Sequence, residues 1–264
     1  MEKSVDKNWA LPPFVAPWPK AERWIFVFMA ALIVTTVLVG FIPDSLGKIA
    51  AVQSGQRPPF SPVLHAHAVL MGAWVLLLLT QTSLVASNRR AVHQMLGLIA
   101  VVLMPAMVVT GFLLVPESFH SVWGLDPARV PGNVIAELKT LLSNLVLAQI
   151  RTGILFPIFV AWALMVRRKD PATHKRLMIL ATLLPLPAAI DRIAWLPHAL
   201  PLSADLYMLL WALPMFAYDL HRYGRVPRAY VIWVAGNLPL AIPVYIFWGS
   251  PWWLATAPKL MGVE

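Results

Sequence analysis

The chain contains no cysteine. Disulfides, thiolate metal ligands, iron–sulfur ligation and thioether-linked haem are therefore excluded. Charge is scarce as well. Asp, Glu, Lys and Arg make up 12% of the residues, and acidic side chains number 12 against 21 basic ones. No His-x-x-x-His or His-Glu-x-x-His occurs, so the usual helical pairs for a hydrolytic zinc are missing. Walker-type and dinucleotide-type glycine motifs are absent too. Gly72, Gly97, Gly111 and Gly153 read as helix-packing positions. The last apolar run holds no lysine, and Lys259 lies beyond it. A retinal Schiff base of the rhodopsin type has no anchor there.

What the chain has in abundance is apolar sequence. It is 59% hydrophobic with a mean hydropathy of +0.71, against about 45–50% apolar for a soluble domain. The net charge of +9 then reads as loop charge beside a membrane rather than a nucleic-acid footprint. Seven runs have the length of a span, about 20 residues: 22–42, 62–86, 93–115, 145–166, 175–196, 204–222 and 229–248. Long, non-alternating runs mean helices, because a helix satisfies its own backbone in lipid. The expectation is one all-α, polytopic domain over 1–264 with seven transmembrane helices. A polar tail (1–20) precedes it, and no removable signal peptide is read there.

All but seven of the 21 basic residues fall on the side of the N-terminus; the seven are Lys48, Arg57, Arg129, Lys139, Arg151, Arg192 and Lys259. The positive-inside bias therefore predicts an inside N-terminus and a multi-pass protein of the bacterial inner membrane. Trp9, Trp18, Trp24, Trp123, Trp195, Trp252 and Trp253 fall near the predicted interfaces. The longest outer loop is read as 116–142, with a short interfacial helix starting at Pro131. Pro105, Pro185, Pro187, Pro214, Pro239 and Pro243 lie inside runs, where they predict kinks.

Two constellations stand out. The inner one holds Gln81, Arg89, Arg90, His93, His174, Lys175 and Arg176. His93 follows Ser87-Asn88-Arg89-Arg90, and His174 follows Arg167-Arg168-Lys169-Asp170-Pro171; each opens a long apolar run. Two helices entering from one face can present one imidazole each at equal depth, as bis-histidine haem ligation requires. The flanking arginines would neutralise propionates. Two ordinary interfacial histidines would look the same, and both readings stand. The outer constellation holds His67, Arg151, Asp191, Arg192 and His198, which share a layer by helical rise. It is either a site for an anion or for protons, or a set of headgroup-level ion pairs. His65 and His67 are two apart and point different ways. His67 shares a stripe with Met71, Trp74, Leu78 and Gln81. His120 and His221 read as interfacial residues.

Aligned on the two histidines, runs two and three match runs four and five in order: helix, basic turn, His, helix. Leu96, Ala100 and Leu103 then match Leu177, Ala181 and Leu184. The stretch 64–97, with Thr173-His174-Lys-Arg-Leu-Met-Ile-Leu-Ala-Thr, resembles an uncharacterised family of bacterial multi-pass membrane proteins. The carriers are a His-x-His helix start, a Trp and a Gln further along, a basic turn before His and Leu-Gly, and the His-Lys-Arg-Leu-Met segment. The arrangement is more distantly similar to the di-haem transmembrane cytochromes b. That resemblance implies a four-helix core from spans two to five, with His93 and His174 as the inner haem b ligands. It also implies an outer pair, for which span two offers His65 or His67 and span four offers no histidine.

The leading expectation is a cytochrome b-like membrane protein carrying electrons through haem b, with quinone or another redox protein as partner. If it is an enzyme, it is a membrane oxidoreductase. A transporter or sensor using the outer layer, and a non-catalytic accessory subunit of a membrane complex, are the alternatives.

Overall fold

A computed structural model describes the chain from Lys20 to Glu264. The polar tail before Lys20, with Trp9 and Trp18, lies outside the described residues. The helices in order are α1 (Lys20–Gln53), α2 (Pro62–Ala86), α3 (Arg90–Leu96), α4 (Ile99–Trp123), α5 (Gly132–Val166), α6 (Pro171–Leu183), α7 (Pro187–Ile190), α8 (Leu202–Tyr223), α9 (Arg228–Phe247) and α10 (Pro251–Leu260). No strand occurs among the described residues, so the all-α expectation holds. Local chemistry sets several starts. Ser61-Pro62, Asp170-Pro171 and Ser250-Pro251 each place a capping oxygen before a proline at the first helical position. The cap accepts an otherwise orphan N–H, and the proline has none to lose. Gly224, at φ 63°, closes α8 in the left-handed conformation, where a Cβ would be strained.

Five helical stretches are long and apolar enough to cross a bilayer: Glu22–Gln53, Pro62–Ala86, Arg90–Trp123, Gly132–Val166 and Arg228–Phe247. Expected runs five and six differ from these. Run five is broken, since α6 stops at Leu183 and the chain turns through Pro185 before α7. Run six forms α8, with Asp205 and Asp219 inside it. The outer loop is far shorter than 116–142. Helix α4 continues through Pro116 to Trp123, and α5 begins at Gly132. The expected interfacial helix is instead the start of α5, which runs unbroken for 35 residues. Ala136, Glu137, Leu138 and Lys139 are good helix formers and carry it across the join. The expected proline kinks give a full break only around 184–186. Pro105, Pro214, Pro239 and Pro243 lie within continuous helices.

Helix α2 packs between α1 and α4, α4 meets α5, and α5 meets α6, which returns to α1. Helix α9 covers α5 and α6. The core therefore contains the expected spans two to five, with α1 closing the ring. At its centre Trp74 donates to Thr182 Oγ1 at 3.1 Å and meets Phe156 edge-on, 5.1 Å between centroids. The predicted α2 stripe is correct: Trp74 and Leu78 are buried, and His67, Met71 and Gln81 are half-buried.

Polar contacts fix how α6, α7 and α8 lie against α1. Lys175 Nζ reaches Glu22 Oε1 at 2.6 Å, and Arg192 Nε reaches Asp44 Oδ2 at 3.2 Å. The segment 175–192 thus runs beside α1 from Glu22 to Asp44, about 33 Å at the helical rise, which is close to the hydrocarbon thickness of a bilayer. Helix α8 runs back: Asp205 pairs with Arg151, and Asp219 pairs with Arg176. Gly40 lets α1 and α7 touch, because a Cβ there would lie 2.1 Å from the Ala189 carbonyl oxygen. Gly40→Ala should therefore cost about 1–3 kcal/mol and lower the melting temperature in detergent; an unchanged melting temperature would refute this packing.

Candidate functional site

The starts of α3 and α6 lie at one end of the bundle, beside the start of α1 and the ends of α2 and α5. Between them is a cavity of about 500 Å³. Both His93 and His174 line it, as does Gln81. Each histidine is the fourth residue of its helix, and both imidazoles lie on the same cavity. Phe26, Trp74, Leu78, Leu164 and Met178 supply an apolar interior. The charged residues lining it are Arg23, Arg90, Arg167, Arg168 and Lys175, with no carboxylate among the described lining residues.

Each imidazole engages one main-chain carbonyl. His174 Nδ1 donates to the Ala163 carbonyl at 2.9 Å, which fixes the tautomer and leaves Nε2 with its lone pair. His174 lies just ahead of the apolar run that begins at 175. Burial, with His93 and Arg167 nearby, pushes its pKa down to about 4. It is therefore neutral, and competent as a ligand, at any pH well above that value. His93 turns one ring nitrogen to the Gln81 carbonyl. Its Nδ1 is buried without a hydrogen-bond partner, and so is Gln81 Oε1. Buried polar atoms are usually paired, so these two stand out as open to a partner. Gly97 borders this corner, where a Cβ would stand in ordinary contact, 3.4 Å from the Gln81 amide nitrogen.

The remaining candidates are distributed as follows. Arg89 is exposed, precedes α3 and does not line the cavity. His67 Nδ1 pairs with Thr110 Oγ1 at 3.0 Å, and His65 Nδ1 with the Ser61 carbonyl at 2.8 Å. Both stand about 20 Å along α2 from Gln81 by helical rise, so neither joins His93 and His174. The outer layer is engaged in separate pairs. Arg151 grips Asp205 at 2.5 and 3.1 Å, and Tyr245 adds its hydroxyl to Asp205 at 2.8 Å. Arg192 binds Asp44, not its neighbour Asp191. Asp191 Oδ1 has no hydrogen bond, and His198 Nδ1 is 3.8 Å away. His120 and His221 occupy the last turns of α4 and α8.

Sequence reasoning missed the polar cluster behind the cavity. Arg176 is fully buried and forks onto Asp219, itself fully buried, at 2.7 and 2.6 Å. Tyr230 donates to Asp219 at 2.8 Å, while Tyr223 and Lys175 each reach Glu22 Oε1 at 2.6 Å. The signal was available in the few carboxylates inside apolar runs, each of which calls for a cation at its own depth. In Arg176→Ala the Asp219 carboxylate loses its partner in a dry interior, so a loss of about 3–5 kcal/mol is expected. Chemical denaturation in detergent would measure it, and a loss below 1 kcal/mol would contradict a buried ion pair.

The fold defines an all-α protein with five helices able to cross a membrane, and with one amphipathic cavity at the basic end. No protein family, curated protein or solved structure matches the chain. The two resemblances therefore rest on the residues quoted for them.

Proposed function

We propose that this chain is a cytochrome b-like membrane protein that holds one haem b between His93 and His174. The observation that carries the reading is one cavity lined by two histidines, an apolar interior and a wholly cationic set of charged groups. Its volume falls within the range of about 300–1,000 Å³ typical of cofactor sites. Two imidazoles suit a haem iron. Trp74, Phe26, Leu78 and Met178 suit the macrocycle, and the arginines suit two carboxylates through charge-assisted hydrogen bonds. His174 is oriented by Ala163, and Arg23 is steadied by its bond to Asn88. Bound there, haem b would supply one-electron transfer, with quinone or another redox protein as the partner class. The outer pair implied by the di-haem resemblance finds no support in the placement of His65 and His67.

A dithionite-reduced minus oxidised spectrum of the protein, purified in mild detergent with ample haem supply, tests this. Sharp Soret and α bands are expected, and they should vanish in His174→Ala. A flat spectrum from folded wild-type protein would overturn the reading.

The topology proposed with it is seven crossings of a bacterial inner membrane, N-terminus inside. The support is the alignment of 175–192 with α1 and the return of α8. Because the chain lacks cysteine, single-cysteine variants can be labelled without background. Ser54→Cys and Ala199→Cys should react with an impermeant maleimide on intact cells, and Ser87→Cys should not. Protection of Ala199→Cys alone would leave only five crossings.

A further inference from the structure

The two histidine-bearing helices are equivalent in sequence order but not in how firmly they are held. Helix α6 starts on an Asp170 cap, whose side chain accepts from Thr173 N at 2.9 Å, with Pro171 at its first position. Eight of its thirteen residues are buried. Helix α3 starts at Arg89 with no side-chain cap, directly after Asn88 at φ 62°. It is seven residues long, none of them buried, and it runs on through Gly97 and Leu98, both in helical conformation, into α4. A capped helix packed on all sides holds its side chains in place; an uncapped, uncovered turn opens at little cost. The imidazoles follow their helices. His174 is pinned by Ala163, while His93 keeps a buried Nδ1 with no partner, beside a Gln81 Oε1 that also has none.

We infer that His174 is the fixed ligand and His93 the exchangeable one, and that the Gln81 corner is a site for a small neutral lone-pair donor. This rests on the haem reading above. The ligand class follows from the orphan atoms: the Gln81 carbonyl oxygen accepts a hydrogen bond, so it favours a lone-pair donor that also carries N–H or O–H, such as imidazole, ammonia or water. Opening of the uncapped first turn of α3 at Asn88 withdraws His93. The incoming lone pair then replaces the histidine's, and no electron changes hands.

The test uses the haem-loaded full chain and reads absorption spectra. Reduced wild-type protein should shift its Soret band on addition of carbon monoxide. His93→Ala should keep its haem in a high-spin state that added imidazole returns to low spin, whereas His174→Ala should be empty. Adding Gln81→Leu to His93→Ala should weaken imidazole by about 3- to 10-fold, the worth of one hydrogen bond, and leave carbon monoxide affinity unchanged. Haem-containing wild-type protein that is inert to carbon monoxide would overturn the inference, as would haem loss in His93→Ala equal to that in His174→Ala. Imidazole affinity untouched by Gln81→Leu would overturn the role of Gln81. Wild-type protein without haem would instead remove the haem reading itself. Should His93→Ala fail to fold, the carbon monoxide result on wild-type protein still decides the matter.

Discussion

The buried pairing of Arg176 with Asp219 is the constraint on which the basic end of the bundle depends. A guanidinium removed from water is costly unless its hydrogen bonds are met. Here two go to Asp219 and one to the Ala172 carbonyl at 3.0 Å. Asp219 is in turn held by Tyr230. This ties α8 and α9 to the start of α6. The neighbouring residue, Lys175, ties the same turn to Glu22 of α1. Four helices are thereby held in register by two consecutive side chains. His174, which precedes them on that turn, is set at one height on the cavity wall. Arg176 turns to Asp219 of α8 and the His174 imidazole lines the cavity, so adjacent positions of one helical turn serve stability and site.

The same arrangement explains why the cavity stays open. The cations that line it come from α1, α3, the α5–α6 turn and α6. Their like charges do not collapse onto one another, while the acidic partners at this end, Glu22 and Asp219, are engaged behind the wall. An apolar interior bordered by basic groups favours a flat amphiphile with anionic substituents over a simple ion. At the other end Arg151 is paired with Asp205, Arg192 with Asp44 and His67 with Thr110, while Asp191 Oδ1 has no hydrogen bond.

Much of this was legible in the sequence. The two basic turns before His93 and His174 predicted a shared face, and the structure places both imidazoles on one cavity. The α2 stripe from His67 to Gln81 was equally readable, because one apolar face of a helix repeats with its pitch. Helix lengths were not. Hydropathy reports where lipid-like sequence ends rather than where hydrogen bonding ends, so α1, α4 and α5 run beyond their apolar segments. The partners of Arg151 and Arg192 were missed for a further reason. Each lies on a helix far away in sequence, and a charge pattern carries no information on which distant carboxylate arrives at the same depth. Adjacency made Asp191 look like the partner of Arg192, whereas the side chain turns to α1 instead.

The central claim is a single haem site at the basic end. Native mass spectrometry of the chain, released from mild detergent after expression with ample haem, tests it most directly. One haem b per chain is predicted, with the count unchanged by His67→Ala. A chain carrying no haem, or two, would contradict the account.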